Sequence, residues 1–437
     1  MSSQVEESRN VAGGSPLRGE ITVPGDKSIS HRSIMFGSLA EGETVVHGFL
    51  HGEDNHATLN AFRSMGIEID EDRDGVLRIS GKGLHGLNEA EDVIDCGNSG
   101  TTMRLMTGLL SGQNFFSVLT GDRYLRRRPM KRIVAPLSRM GASISGRNGG
   151  ELAPLAITGQ NLSGLEYQSP VASAQVKSAL LLAGLYADSP TTVFEPHLSR
   201  DHSERMLEYF GATIETLDGG VRIDPDPQLA GREVHVPADI SSAAFFLVAA
   251  SIVPGSELML KNVGINPTRS GILNILESMG ADIEYCNQRV LSGEPVADLL
   301  VRSAQLKGVD IGGEVVPRAI DEFPVISVAA CFAEGETTIR DARELRVKET
   351  DRIAAMVSEL GKLGVDVEAR EDGMVINGNQ DVLGGSVVSH GDHRIAMSMA
   401  VAALASDKTV TIDDTACTAT SFPRFWELLT SVGAKVH

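Results

Sequence analysis

The sequence predicts an α/β fold of two domains, each built from three copies of one folding unit whose strands wrap around buried helices. Three observations predict it. A helix-like run that ends in a Met-Gly or similar step and gives way to hydrophobic alternation recurs six times, about 70 residues apart, too long a spacing for a solenoid repeat. Six polar loops each open directly into an apolar, Ala-rich helix. The last copy runs out at His437, just after its glycine step, without the closing strands its siblings have.

Taken in order, Met1–Asn10 is polar and acidic, with neither the apolar core of a secretion signal nor an Arg-rich transit pattern, and so predicts a cytoplasmic protein. Leu17–Val23 alternates and is expected to be the strand that completes the last copy. This division puts residues 1–25 with 239–437 in one discontinuous domain and 26–238 in the other, with crossings near Pro24 and near Asp239. The helix openings fall at Pro24–Ser28, Cys96–Thr101, Val171–Gln175, Pro237–Ser242, Arg318–Glu322 and His390–Arg394. Gly, Ser, Asp and Asn there are good N-caps, and a helix start presents unpaired N–H groups with partial positive charge, so six anion-friendly starts are expected. The helices behind them, such as Ala243–Ala250 and Ser178–Gly184, are apolar nearly all round, which predicts burial. The glycine steps are Gly66, Gly141, Gly211, Gly280, Gly364 and Gly433. Each lies where helical periodicity changes to alternation, the place for a left-handed helix cap.

At 437 residues the chain fits two domains of ordinary size. Lys+Arg of 39 against Asp+Glu of 58 leaves a net charge of −19, and aromatics make up only 4%, which argues against a nucleic-acid partner. The longest apolar run, around Ala243–Val253, is far short of the roughly 20 residues that span a bilayer, so no membrane association is expected. Cys96, Cys286, Cys331 and Cys417 are dispersed and read as reduced thiols rather than a disulfide framework or zinc site.

Within this acidic chain, basic residues gather near the helix openings: Lys27, Arg32, Arg104, Arg123–Arg132, Arg200, Arg346, Lys348, Arg352 and Arg394. A cleft of one sign in a protein of the other concentrates small anions. The Arg123–Arg132 run reads as a solvated loop or a nucleic-acid patch, with one arginine expected to turn inward beside the Asn98–Thr101 loop. On a helix, Arg346–Arg352 would put Lys348 and Arg352 on one face, with Glu349 close by.

Lys27-Ser28-Ile29-Ser30-His31-Arg32, Asn98-Ser99-Gly100-Thr101, Arg127-Arg128-Pro129, Ser173-Ala174-Gln175, Arg346-Val347-Lys348-Glu349-Thr350-Asp351-Arg352 and Asp392-His393-Arg394 together resemble the 5-enolpyruvylshikimate-3-phosphate (EPSP) synthase family, in order and over nearly the whole chain. The resemblance implies a pair of inside-out α/β barrel domains of three units each, the enolpyruvyl transferase fold. It implies transfer of the enolpyruvyl group of phosphoenolpyruvate to the 5-hydroxyl of shikimate 3-phosphate, with release of phosphate, in the cleft between the domains. Shikimate 3-phosphate would be held by Lys27, Ser28, Arg32, Ser173, Ala174, Gln175, Arg200, Asp321 and Lys348. Phosphoenolpyruvate would meet Lys27, Gly100, Arg128, Gln175, Arg352 and Arg394, since guanidinium pairs bidentately with carboxylate and phosphate. Asp321 would accept the 5-hydroxyl proton beside Lys348, and Glu349 would exchange the methylene proton, with Lys27 serving both substrates. No metal and no cofactor is implied, and glyphosate, similar in charge to phosphoenolpyruvate, would compete for its pocket.

Three departures resemble the class II branch of that family: Thr418-Ala419-Thr420 in place of Thr-Ala-Lys, Glu344 in place of an asparagine, and Ala174 in place of a second serine. Two other functions compete with this reading. A UDP-N-acetylglucosamine enolpyruvyl transferase usually carries a cysteine in the loop corresponding to Tyr124–Arg128, which here has arginines. A non-catalytic phosphate or nucleotide binding protein would need no acids such as Asp321 and Glu349 beside Lys348. His390–His393 and Asp201-His202 are weak metal-ligand patterns for which cap and hydrogen-bond roles are expected instead.

Overall fold

The structure, a computed structural model, describes residues 7–437, so most of the Met1–Asn10 reading lies outside the described residues. Two compact units emerge from the contacts within the chain. One, here the N-half, is Gly25–Pro237 with Val290–Glu294; the other, the C-half, is the segment ending at Pro24 with Ala238–Arg289 and Pro295–His437.

Among the described residues the strands form six four-stranded sheets, three in each unit. The six polar openings lead into helices Lys27–Leu39, Gly100–Ser111, Ala174–Gly184, Ile240–Ile252, Phe323–Cys331 and His393–Leu404. They are the cores of their units. Every residue of Ile240–Ile252 and of Phe323–Cys331 is buried, which is why neither carries a polar face. Helices Gly100–Ser111 and Ala174–Gly184 meet at Gly108, where a Cβ would stand 2.1 Å from the Ala179 carbonyl oxygen. Around four of the core helices the strand before the helix pairs in parallel with the strand after it; at Lys27–Leu39 and Ile240–Ile252 the lead strands are exchanged, Glu233–His235 pairing in parallel with Glu41–His47 and Arg18–Ile21 with Glu257–Gly264.

The glycine steps behave as the periodicity demands. Gly66, Gly141, Gly211, Gly280, Gly364 and Gly433 all have φ between +82° and +113°. In each copy the next residue donates its N–H back to the helix, as Ile67 does to Phe62 and Ala212 to Leu207, which is the Schellman closure. The N-caps are less uniform than expected. Asp26, Ser99, Asp239 and Asp392 accept from the backbone of the following turn, but Ser173 and Glu322 do not cap by side chain. In those two copies the Ser173 N–H donates to Glu195, and Pro324 occupies the first turn, where a missing donor costs nothing.

Two sequence expectations are corrected here. The last copy is completed by Arg9–Ala12, which inserts between Thr409–Asp413 and Lys435–Val436; the expected strand, Arg18–Ile21 of Leu17–Val23, pairs instead with Glu257–Gly264. Arg18–Ile21 and Glu233–His235 are equivalent: each precedes a crossing of the chain, and each stays behind to supply the parallel lead strand of its own unit. The second correction is Val290–Glu294, which belongs with the N-half rather than with its flanking strands. Its tight turn uses positive φ at Ser292 and Gly293, and it is fixed by Ser292 Oγ accepting from the His235 N–H and by a buried His202–Glu294 pair at 2.7 Å.

Candidate active site

In the N-half the predicted residues gather at the three helix starts. Lys27 is the first residue of its helix, and its Nζ lies 2.5 Å from Asp54 Oδ2. Burial raises the Asp54 pKa, but the Lys27 charge outweighs it and holds the carboxyl below its ordinary value. Arg32, buried, donates to Ser203 Oγ at 2.7 Å, to the Ser28 carbonyl at 2.9 Å and to Ser178 Oγ at 2.9 Å. Burial lowers its pKa to about 10, which leaves it cationic at neutral pH, and the nearby Arg200 charge pushes the same way. Two cations held close together, one of them desolvated, favour a multiply charged anion between them.

At the second start, a Cβ on Gly100 would lie 2.9 Å from Arg104 Nη1 and 3.3 Å from Arg128 Nη1, so absence of a side chain is what lets both guanidiniums close over the helix end. Arg128 donates to Asn98 Oδ1 at 2.8 Å and Arg104 to Gln175 Oε1 at 2.6 Å, while Gln175 donates to Thr101. Arg128 is the arginine that turns inward; Arg123, Arg126 and Arg127 are exposed. Ser173 and Ala174 stand at the third start, beside the buried Lys177–Glu195 pair at 2.9 Å.

The C-half collects the acids. Asp321, in the turn before Phe323–Cys331, has its Oδ1 3.4 Å from Lys348 Nζ and 3.5 Å from Arg352 Nη1. Arg352 is buried, donating to Glu349 Oε2 at 2.7 Å and to Asp392 Oδ2 at 2.8 Å. Burial alone would lower its pKa, but Asp392, Glu349 and Asp321 together raise it above the ordinary arginine value. Arg394 donates to the Asp321 carbonyl at 2.9 Å. The Arg346–Arg352 helix expected from spacing is not there. A 3₁₀ turn, Arg343–Val347, ends at an extended Lys348 (φ −78°, ψ −152°), and a new helix starts at Arg352 with Asp351 as its N-cap. Lys348 and Arg352 meet through Asp321, not through a shared helix face.

Of the departures, Glu344 Oε1 lies 3.4 Å from Lys348 Nζ, which puts the lysine between two carboxylates. Thr415–Thr420 forms a 3₁₀ turn with no basic residue. Sequence reasoning missed the long-range partners Asp54 and Asp392, and Arg269, which donates to Glu322 at 3.2 Å and to Ser241 at 2.5 Å under the Asp321 turn. Arg104 was visible as a buried-helix cation but had no role. The weak metal patterns are otherwise engaged: His390 pairs with Glu359 at 2.8 Å, Asp201 with Arg205 at 2.8 Å, and burial holds His393 neutral, with its pKa lowered to about 4. A groove of about 550 Å³ in the N-half, lined by Glu53, His56, Asn60 and Asp95 among others, contains none of these arginines and is the wrong sign for an anion.

Comparison with known proteins decides the family. A sequence model described as EPSP synthase (3-phosphoshikimate 1-carboxyvinyltransferase) matches residues 11–429. The chain belongs to the EPSP synthase family. The 3-phosphoshikimate 1-carboxyvinyltransferase of Syntrophotalea carbinolica is 67% identical over 428 residues, 98% of this chain and 99% of that one, and that of Geobacter sulfurreducens is 66% identical over 419 residues, 96% and 97%. The structure of EPSP synthase from Acinetobacter baumannii superposes with a TM-score of 0.91 at 47% identity, covering 99% of this chain and 100% of that one. The enolpyruvyl transferase NikO of Streptomyces tendae, at 18% identity and a TM-score of 0.81, shares the fold. This is the enolpyruvyl transferase fold, and the activity is carboxyvinyl transfer to 3-phosphoshikimate, as in the family. The UDP-N-acetylglucosamine and binding-protein alternatives fall away.

Proposed function

We propose that the two sets of residues, one on each unit, act on a single pair of substrates, moving the enolpyruvyl group of phosphoenolpyruvate to the 5-hydroxyl of shikimate 3-phosphate. Lys27, Ser28, Arg32, Ser173, Gln175 and Arg200 hold the sugar-like substrate, with Ala174 lending backbone at the helix start. Lys27, Gly100, Arg128, Gln175, Arg352 and Arg394 hold phosphoenolpyruvate. The supporting observation is that these cations are pre-aimed while paired to one another's neighbours: Lys27 on Asp54, Arg128 on Asn98, Arg352 on Asp321 and Glu349. Substrates that each carry both a phosphate and a carboxylate exchange into those pairings and displace weaker internal partners.

The chemistry replaces one oxygen at C2 of phosphoenolpyruvate by another, so the C3 methylene must gain a proton and lose it again. Once phosphoenolpyruvate takes over Arg352, Glu349 in its protonated form donates a proton to C3 as the 5-hydroxyl oxygen attacks C2, and Asp321 takes the hydroxyl proton. The C2–O bond to phosphate then breaks as Glu349 recovers the C3 proton, and the departing phosphate carries away the proton that Asp321 took. Lys27, Lys348 and Arg352 stabilise charge that develops on the way. Both substrates are phosphate monoesters that do not cross a bilayer, which supports a cytoplasmic location, and glyphosate is expected to compete with phosphoenolpyruvate. Phosphate release should require shikimate 3-phosphate and phosphoenolpyruvate together. Release from phosphoenolpyruvate alone, or with UDP-N-acetylglucosamine as acceptor, would overturn the reading.

A further inference from the structure

The first sheet of the N-half carries a side-chain cluster on its outer face that the reaction does not use. Strands Glu41–His47 and Glu233–His235 are parallel neighbours, with His47 directly opposite His235. Alternate residues of a strand share a face, so Glu233 points the same way as His235, while Val46 and Val234, both fully buried, face the core. His47 Nε2 lies 3.0 Å from Glu233 Oε1, and His235 Nε2 lies 3.6 Å from the same oxygen. The imidazoles stack with centroids 4.6 Å apart and planes 12° from parallel. Among the described residues this is the one group of three His, Cys, Asp or Glu side chains whose ligand atoms all fall within 4.8 Å of one another.

Two of the three edges have the length found in a coordination shell, and the third, between the two imidazoles, is at most 4.8 Å. Ligand atoms about 2.0–2.1 Å from a tetrahedral zinc stand about 3.4 Å from each other. The two nitrogen–oxygen distances bracket that edge. Two imidazoles and a carboxylate suit zinc and its transition-metal neighbours rather than magnesium or calcium, which prefer oxygen alone. Partial exposure of all three side chains, 35%, 64% and 47% for His47, Glu233 and His235, leaves room for a water as fourth ligand. The short strand is anchored for the purpose: the Tyr209 hydroxyl donates to the Glu233 carbonyl at 2.9 Å, and the His235 N–H donates to Ser292 Oγ at 2.9 Å.

We propose that His47, Glu233 and His235 form a binding site for a zinc-like divalent ion that clips the last strand of the N-half to its first sheet. Glu233–His235 is the strand that closes the ring of three copies, so the ion joins chain positions 186 residues apart. An ion that binds only the closed sheet stabilises it by mass action. The site is independent of the reaction, since none of its residues holds substrate or moves a proton.

Calorimetric titration of the chelator-stripped full chain with zinc, paired with thermal unfolding, tests this. One ion per chain is expected, with affinity at least about tenfold weaker in each of His47→Ala, His235→Ala and Glu233→Gln, and unchanged in His51→Ala. At a hundredfold excess over its dissociation constant, zinc should raise the parent's Tm by about 5–10 °C and leave that of His235→Ala where it was. No binding to the parent, undiminished binding in the three variants, or loss of binding in His51→Ala would each overturn the site, the last by moving the ion to His51, whose Nε2 lies 3.6 Å from Glu71 Oε1.

Discussion

Asp321 rests against two cations, and its removal should separate binding from chemistry. In Asp321→Asn the amide keeps the shape and can still face Lys348 and Arg352, but it cannot take a proton. Turnover should fall on the order of 10²-fold or more with a much smaller change in shikimate 3-phosphate affinity. Near-parental turnover in steady-state assays would remove Asp321 from the role. Gly100 makes the second prediction at this scale. A methyl group there pushes on the ends of the Arg104 and Arg128 side chains, 2.9 and 3.3 Å away, so Gly100→Ala should fold normally and shift the guanidiniums by tenths of an ångström. Phosphoenolpyruvate KM should rise modestly and the glyphosate inhibition constant by a larger factor, because the longer inhibitor has less slack. Competition kinetics showing equal factors for both would mean that Gly100 does not discriminate between them. The roles of such residues were legible because the short motifs of the chain resemble those of the EPSP synthase family, and the resemblance implies them. Asp54 and Asp392 were not, since their partners Lys27 and Arg352 lie 27 and 40 positions away and no spacing rule connects them.

At the scale of elements, local chemistry was the reliable guide. The six glycine steps were found because a left-handed cap is a demand of the backbone itself, met within the sequence of one helix end. Gly211, with φ +113° and its N–H bonded to Leu207, illustrates the cost of ignoring it. Gly211→Ala should lower the stability of the N-half by about 1–2 kcal/mol, read as a reduced denaturation midpoint at unchanged slope. A midpoint equal to the parent's would show that the cap contributes nothing. Spacing misled at Arg346–Arg352, where charges three and four apart suggested one continuous helix. The signal that a helix begins afresh was present in Asp351, whose carboxylate accepts from the Ala354 N–H at 3.0 Å. Pairing partners of strands were beyond local reading. Arg9–Ala12 and Arg18–Ile21 are both four residues long with a single buried residue each, and only the closure of each set of three copies assigns the first to Thr409–Asp413 and the second to Glu257–Gly264.

At the scale of the whole molecule, each unit carries a buried neutral histidine, and both should fail together in acid. His31 accepts or donates through Nδ1 to Thr58 Oγ1 at 2.7 Å, while its buried Nε2 has no partner; burial lowers its pKa to about 3. His393 opens the last core helix of the C-half, and burial lowers its pKa to about 4. In the unfolded chain both titrate near the ordinary imidazole value of about 6.5. Above that value neither state binds the proton and stability is at its full level. Below it the unfolded chain gains a proton that the fold refuses, so each unit loses about 1.4 kcal/mol per pH unit until its folded pKa is reached. His202 has the opposite sign, since the Glu294 charge outweighs burial and raises its pKa; its contribution is complete below about 6.5 and is lost as pH rises through the raised value. The N-half should therefore be most stable near the ordinary imidazole value, and the C-half should level off above it. Between pH 6.5 and 5, where ordinary carboxylates remain ionised, unfolding of the parent should move down by several degrees. In His393→Gln, whose amide stays neutral throughout, the C-half transition should lose that dependence while the N-half transition keeps it. Parallel pH profiles of parent and variant would show that acid acts on some group other than this histidine.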